Sequence, residues 1–141
     1  IWDKKWIGPG GQRGLRPSYE MVALFAGDDF SIDNRGLPDI QAFNWSAMKP
    51  HGHPAEKPEK LMDFLVSNSS NPDDLIFDPF MGSGTTGVAC AKAGMRFIGI
   101  EREPKYFATA CRRIEEAYRQ PRLFEEPKPK AVQLDLIGGG A

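Results

Sequence analysis

Apolar positions recur most regularly in the second half of the chain, after residue 57. Pro58 suits the first turn of a helix. The residues that follow place an apolar side chain at helical spacing, namely Leu61, Met62, Leu65 and Val66. This pattern predicts a helix with one apolar face, and Asn71-Pro72 ends it.

A strand, a helix and a second strand are predicted next. The apolar run Leu75–Phe77 leads through a glycine-rich stretch into a helical pattern over residues 85–93, with Gly94 as its C-terminal cap. The second strand is Arg96–Ile100. Together they predict a right-handed βαβ unit with parallel strands. A last helix is predicted from Pro104 to about residue 118, with Phe107, Ile114 and Ala117 on its inner face in the core.

The rest of the chain is less regular. Tyr19–Phe25 is apolar and short and predicts a strand, whereas residues 8–14 form a glycine-rich loop and residues 26–52 are irregular. Residues 125–141 mix Glu, Lys and Pro, and we predict that they form a mobile tail.

Composition fits one α/β domain with a modest core, since 40% of the 141 residues are hydrophobic. The net charge of −1 gives no overall attraction to nucleic acid, so any DNA contact needs a local basic patch. Arg13 and Arg16, beside Trp2, Trp6 and Tyr19, could meet a DNA backbone. A solvated basic loop over an aromatic cluster is the alternative.

The two cysteines, Cys90 and Cys111, lie in helical patterns without metal-ligand spacing. We therefore predict buried or half-buried free thiols and no metal site. No stretch is long and apolar enough for a membrane span, and we expect a cytoplasmic protein without a membrane partner.

The chemistry of the chain is concentrated around residues 82–87, which read Gly-x-Gly-x-x-Gly. That string alone would suit a nicotinamide-dependent dehydrogenase. However, Asp78 at the preceding strand tip would repel a pyrophosphate and attract an ammonium group. Glu101, at the end of the second strand, suits a ribose diol. An ammonium and a ribose without phosphate describe S-adenosylmethionine. A tight turn without a ligand is the alternative.

These residues also carry a family resemblance. Residues 78–86, Asp-Pro-Phe-Met-Gly-Ser-Gly-Thr-Thr, resemble the cofactor motif of DNA amino-methyltransferases, which methylate adenine N6 or cytosine N4. Phe97–Glu101 resembles the second motif of that family. His53–Pro58 is similar to the element that precedes the cofactor loop in its permuted members. Ile1–Lys4 and Arg16–Phe25 are similar to its later strands.

The resemblance implies part of a Rossmann-like sheet of the S-adenosylmethionine-dependent methyltransferases, flanked by helices. It also implies DNA methylation of the kind found in restriction-modification. Combined with the residue chemistry, it predicts a cofactor-binding set: His53, Lys57, Asp78, Pro79, Phe80, Gly82, Ser83, Gly84, Thr85, Thr86, Glu101 and Arg102.

Several members of this set have a plainer alternative role. Asp78 could cap the turn that follows it, and Thr85 and Thr86 could cap the helix. Glu101 could be a solvated carboxylate at a strand end. His53 suits a turn or cap better than acid–base catalysis, and for Lys57 the alternative is an exposed position before a helix.

The family's catalytic tetrapeptide, Asp, Asn or Ser followed by Pro-Pro and an aromatic residue, does not occur here. In the permuted order it would lie before Ile1. We therefore expect residues 1–124 to be the C-terminal part of one methyltransferase domain, with its cofactor-binding half at 52–118, inactive alone. The alternatives are a dehydrogenase fragment, or a non-catalytic remnant or partner subunit.

The missing part also bears on association. In the family the strand that carries the tetrapeptide pairs with the strand ending at Asp78, so Leu75–Phe77 would otherwise leave backbone groups unpaired. We expect double-stranded DNA as a partner, and the missing part or another chain to complete the sheet. Alternatively, Tyr19–Phe25 moves in to pair with this strand.

Overall fold

The structure, a computed structural model, describes residues 1–5, 17–28, 30–32, 36–44 and 50–120. The elements in chain order are β1 (Trp2–Asp3), β2 (Tyr19–Glu20), β3 (Gln41–Ala42), α1 (Glu59–Ser69), β4 (Leu75–Asp78), α2 (Thr85–Ala93), β5 (Arg96–Gly99) and α3 (Pro104–Arg119). The predicted glycine-rich loop at 8–14 and tail at 125–141 lie outside the described residues. Among the helices described, none is long and apolar enough to cross a bilayer.

The predicted βαβ unit is present. β4 and β5 pair in parallel, from Leu75 opposite Arg96 to Asp78 opposite Gly99. The helix between them, α2, ends at Gly94, whose left-handed backbone (φ 78°) suits a residue without a side chain. β5 stops one residue earlier than predicted, although the Ile100 N–H still donates to the Asp78 carbonyl at 2.9 Å.

The core lies where the helices cover one face of this two-stranded sheet. α1 and α3 both pack against α2. Val66, Ala89, Cys90 and Met95 are buried there. On the opposite face of the sheet, the outward side chains are about half exposed: Leu75 at 50%, Phe77 at 56% and Ile98 at 50%.

A second small sheet has the strand order β2–β1–β3, with β2 antiparallel and β3 parallel to β1. The prediction of a strand over Tyr19–Phe25 is correct only at Tyr19–Glu20, because β1 offers just two residues as a partner. Phe25 is 92% exposed. β2 pairs with β1 and not with β4. β3 lies in a stretch predicted to be irregular and was missed.

The predicted inner face of the last helix is correct except at Phe107. Ala110 and Arg113 are the buried residues of α3, and Ile114 and Ala117 are half-buried on the same side. The Ala110 side of α3 faces the β4–α2 connection, where Gly84 allows close approach. The prediction that Phe107 belongs to the core is wrong, because its side chain is 46% exposed.

Both cysteines are free thiols, as predicted: Cys90 is buried and Cys111 is half-buried. Burial, together with the nearby Asp78 charge, raises the pKa of the Cys90 thiol to about 11. The Cys90 thiol is therefore protonated at neutral pH and acts as a small apolar group.

This burial predicts a difference between two identical substitutions. Cys90→Ser places a hydroxyl in the apolar core and should lower the free energy of unfolding by about 1–3 kcal/mol. Cys111→Ser, at the half-buried position, should change it by less than about 0.5 kcal/mol. Urea unfolding of both variants measures the difference, and equal effects would contradict the described core.

Candidate functional site

The connection between β4 and α2 lies at the carboxyl ends of both parallel strands. Gly82 (φ 54°) and Gly84 (φ 82°) have left-handed backbones, which glycine adopts at little cost. The Gly84 N–H donates to the Met81 carbonyl at 2.8 Å, and the Met81 N–H donates to the Ile100 carbonyl at 3.0 Å. The turn is thus hydrogen-bonded internally and to the end of the second strand.

Asp78 holds the beginning of this turn. One carboxylate oxygen accepts from the Phe80 N–H at 3.0 Å, and the other accepts from the Thr86 hydroxyl at 2.7 Å. Asp78 therefore makes the hydrogen bonds that its alternative role, capping the turn, predicts. The Thr86 hydroxyl donates to Asp78, and no side-chain hydrogen bond caps the N-terminus of α2.

Glu101 holds the turn from the other strand. Its carboxylate accepts from the Glu103 N–H at 2.8 Å and from the Gly82 N–H at 3.1 Å. The Glu103 hydrogen bond is the main cause that lowers the pKa of Glu101. Desolvation opposes it, and the Gly82 hydrogen bond adds to the lowering. The charged carboxylate joins the turn to the start of α3, and each oxygen keeps further acceptor capacity.

The two left-handed glycines serve different neighbours. A Cβ at Gly82 would lie 3.1 Å from the His53 ring, on the side of the cavity described below. A Cβ at Gly84 would lie 2.8 Å from the Ala110 Cβ. Gly82 therefore admits the His53 ring over the turn, whereas Gly84 admits helix α3.

Residues before α1 reach the same region. The His53 ring stacks edge-on against Tyr106, with ring centroids 4.4 Å apart. The Lys57 ammonium donates to Glu20 at 2.9 Å and lies 5.7 Å from the centroid of the Trp2 ring. In the structure, then, Lys57 is an exposed residue before the helix, as the alternative has it, and it pairs with a carboxylate at the surface.

A cavity of about 340 Å³ adjoins the turn. It brings together eight of the twelve predicted site residues: His53, Lys57, Asp78, Phe80, Gly82, Ser83, Thr85 and Thr86. Pro79, Gly84, Glu101 and Arg102 are not among its lining residues. Glu101 touches it through Gly82, and Arg102 is exposed. A larger apolar cavity, about 540 Å³, lies between α1 and the N-terminal segments and contains none of the twelve.

The structure adds one residue that sequence reasoning missed. Arg113 of α3 is 5% exposed and donates to the Ser83 carbonyl at 2.6 Å. Helical spacing could have indicated Arg113, because Ala110, Arg113 and Ile114 share one face of a helix. A basic residue on an inward face needs a partner.

The proposed DNA-facing patch is only partly described. Arg13, Arg16 and Trp6 lie outside the described residues. Trp2 is 2% exposed, and its indole N–H donates to the Phe43 carbonyl at 2.8 Å. Trp2 is therefore part of the interior of the small sheet, and its side chain is not exposed for contact with a DNA backbone.

Comparison with known proteins finds DNA methyltransferases. A family model described as DNA methylase, for N6 and N4 methyltransferases, matches residues 1–112. The Type II methyltransferase M.HinfI of Haemophilus influenzae is 41% identical over 89 residues, which are 60% of this chain. The Type II methyltransferase M2.DpnII of Streptococcus pneumoniae is 48% identical over 63 residues, 45% of this chain. This chain spans 25% and 24% of the length of those two relatives.

A solved structure shares the fold. The PvuII DNA methyltransferase, which is cytosine-N4-specific, aligns with a TM-score of 0.52 at 26% identity. The alignment covers 63% of this chain and 40% of that one. The predicted α/β class, part of a Rossmann-like methyltransferase sheet with flanking helices, is confirmed.

The geometry of the turn predicts an unequal response to two identical substitutions. Gly84→Ala combines a left-handed alanine with overlap against Ala110, and should lower the free energy of unfolding by about 2–4 kcal/mol. Gly52→Ala is the matched control, because Gly52 is also left-handed (φ 76°) but has nothing within 4 Å. It should cost about 1–2 kcal/mol. Equal losses in thermal or urea unfolding would mean that α3 does not press on the turn.

Proposed function

The chain belongs to the N6/N4 DNA methylase family, and on that premise we propose that it supplies the S-adenosylmethionine-binding part of a DNA amino-methyltransferase. Such an enzyme transfers a methyl group to adenine N6 or cytosine N4 in double-stranded DNA, here within a restriction-modification system. The observation that carries the proposal is the pair of carboxylates, Asp78 and Glu101, that flank one glycine turn beside a cavity.

Each part of the site suits one part of S-adenosylmethionine. Glu101 retains acceptor capacity for the two ribose hydroxyls. Asp78 offers negative charge to the ammonium group. Phe80 is 88% exposed at the cavity and presents a flat apolar face to a ring. The N-terminus of α2, beginning at Thr85, favours the cofactor carboxylate through its dipole.

When bound, this cofactor supplies a methyl group on a sulfonium, open to in-line attack by an amine. The chain's own contribution is to orient it, since holding two reactants in place supplies much of such a rate enhancement. The 141 residues contain no Asp/Asn/Ser-Pro-Pro-aromatic tetrapeptide. We infer that the group holding the target amine comes from outside this chain, where the flipped base also binds. This chain alone then has no turnover.

Asp78 argues against a dinucleotide at the turn. Its carboxylate lies at the tip of β4 beside the glycine turn, and it would repel a pyrophosphate bound there. Calorimetric titration of the protein with S-adenosylmethionine and with NAD separates the two. We expect heat of binding with the first only. Binding of NAD alone would establish the dehydrogenase alternative, and binding of neither would favour a non-catalytic subunit.

The exposed face of the β4–β5 sheet supports a further part of the proposal. Among the described residues, β4 pairs only with β5, so its other edge is open. Leu75, Phe77 and Ile98 are half exposed beside that edge. We propose that polypeptide outside these 141 residues, from the same protein or another chain, pairs with β4 and covers this face.

For cofactor binding, Glu101→Ala should raise the Kd for S-adenosylmethionine about tenfold, because the two ribose hydroxyls lose the carboxylate that accepts from them. Glu103→Ala is the control, because it removes an exposed carboxylate two residues away. The substitution also removes the hydrogen bond from Gly82, which lowers stability. The calorimetric titration is therefore run well below the unfolding temperature. Equal affinities of the two variants would remove Glu101 from the ribose site.

For the sheet face, Phe77→Ser should lower the free energy of unfolding by about 2–4 kcal/mol in the complete enzyme, where we expect the ring to be covered. In the 141-residue chain alone, where the ring is 56% exposed, the loss should be smaller, about 1 kcal/mol. Denaturant unfolding of both forms gives the comparison. The same small loss in both would show that nothing covers this face.

A further inference from the structure

Helix α3 carries a buried guanidinium directly behind the glycine turn. Nη1 of Arg113 donates to the Ser83 carbonyl at 2.6 Å, to the Ser83 hydroxyl at 3.2 Å and to the Thr85 hydroxyl at 3.4 Å. Nη2 of the same residue donates to Glu59 at 2.8 Å. One side chain thereby joins α3, the turn, the start of α2 and the start of α1.

The peptide between Ser83 and Gly84 is held at both ends. Arg113 binds its carbonyl, and the Met81 carbonyl accepts from its N–H at 2.8 Å. A peptide fixed in this way cannot rotate to exchange its donor and acceptor directions. Because Ser83 and Thr85 also line the 340 Å³ cavity, the orientation of this peptide sets the shape of the cavity wall.

Glu59 keeps the guanidinium in place. Burial would raise the pKa of the Glu59 carboxyl, but hydrogen bonds and charges from Lys92 and Arg113 outweigh it and hold the pKa below its usual value. Lys92 donates to the second Glu59 oxygen at 2.9 Å. The Arg113 fork is thus balanced by a carboxylate that is ionised at neutral pH.

A buried charge of this kind is a costly way to fill a helix interface. Apolar side chains of similar volume often give equal or greater stability at such positions. What arginine adds is a rigid fork of donors with fixed directions, which lysine or methionine cannot supply. The contacts of Arg113 therefore point to control of the turn's geometry rather than to stability alone.

We propose that Arg113 is a positioning residue for S-adenosylmethionine, which fixes the Ser83–Thr85 wall of the cavity from behind without touching the cofactor. The inference rests on the proposed function. It predicts that loss of the guanidinium weakens cofactor binding even when the protein is fully folded. The rate of methyl transfer from bound cofactor should change little.

The test uses the complete methyltransferase and compares Arg113→Met with Val66→Ala. Val66 is 5% exposed in the core formed with Ala89, Cys90 and Met95, so its truncation lowers stability without contact to the turn. Arg113→Met should raise the Kd and KM for S-adenosylmethionine about tenfold, the loss of one charged hydrogen bond, with kcat within about twofold. Val66→Ala should leave Kd, KM and kcat near those of the parent protein.

Other outcomes overturn the proposal in distinguishable ways. If Arg113→Met binds S-adenosylmethionine as the parent does, or if both variants lose affinity equally, Arg113 has only a structural role. If the parent protein binds no S-adenosylmethionine, the proposed function falls and the inference falls with it. Should Arg113→Met not fold, Glu59→Gln removes the counter-charge instead. It should raise Kd about threefold, and an unchanged Kd would contradict the proposal.

Discussion

The turn between β4 and α2 bends through two left-handed glycines, and the hydrogen bonds around it select this shape from the many that glycine can adopt. Asp78 holds it at the start, Glu101 from the end of the adjacent strand and Arg113 from behind. The cavity, the start of α2 and the packing of α3 all take their positions from this turn. Its polar restraints come from three parts of the chain, so the full set of hydrogen bonds requires β5 and α3 to be packed beside it.

The two carboxylates of the site hold the turn by hydrogen bonds, in addition to any ligand that they bind. Asp78 is bonded to Phe80 and Thr86, and Glu101 to Gly82 and Glu103. A carboxylate can accept several hydrogen bonds at once, so the two roles are compatible. They are also coupled: a ligand on either carboxylate would tighten the turn that the carboxylate already restrains, and disorder in the turn would lower affinity for the ligand.

The sheet formed by β4 and β5 is covered unequally on its two faces. Helices cover one face of β4 and β5, and the other face leaves Leu75, Phe77 and Ile98 half exposed. Parallel sheets are usually covered on both faces. The chain spans about a quarter of the length of its curated relatives, and among the described residues this face and the β4 edge are the surfaces that our proposal assigns to further polypeptide.

Local sequence determined the elements whose signals are local. The βαβ unit, the Gly94 cap and the cofactor-type turn follow from apolar periodicity and glycine positions, which act over a few residues. Tertiary structure decided which residues meet. The strand at Tyr19 is short because its partner is short, and the missing side chain at Gly84 admits helix α3. The importance of Arg113 depends on Ser83, thirty positions away, and no pattern within one helix encodes that contact.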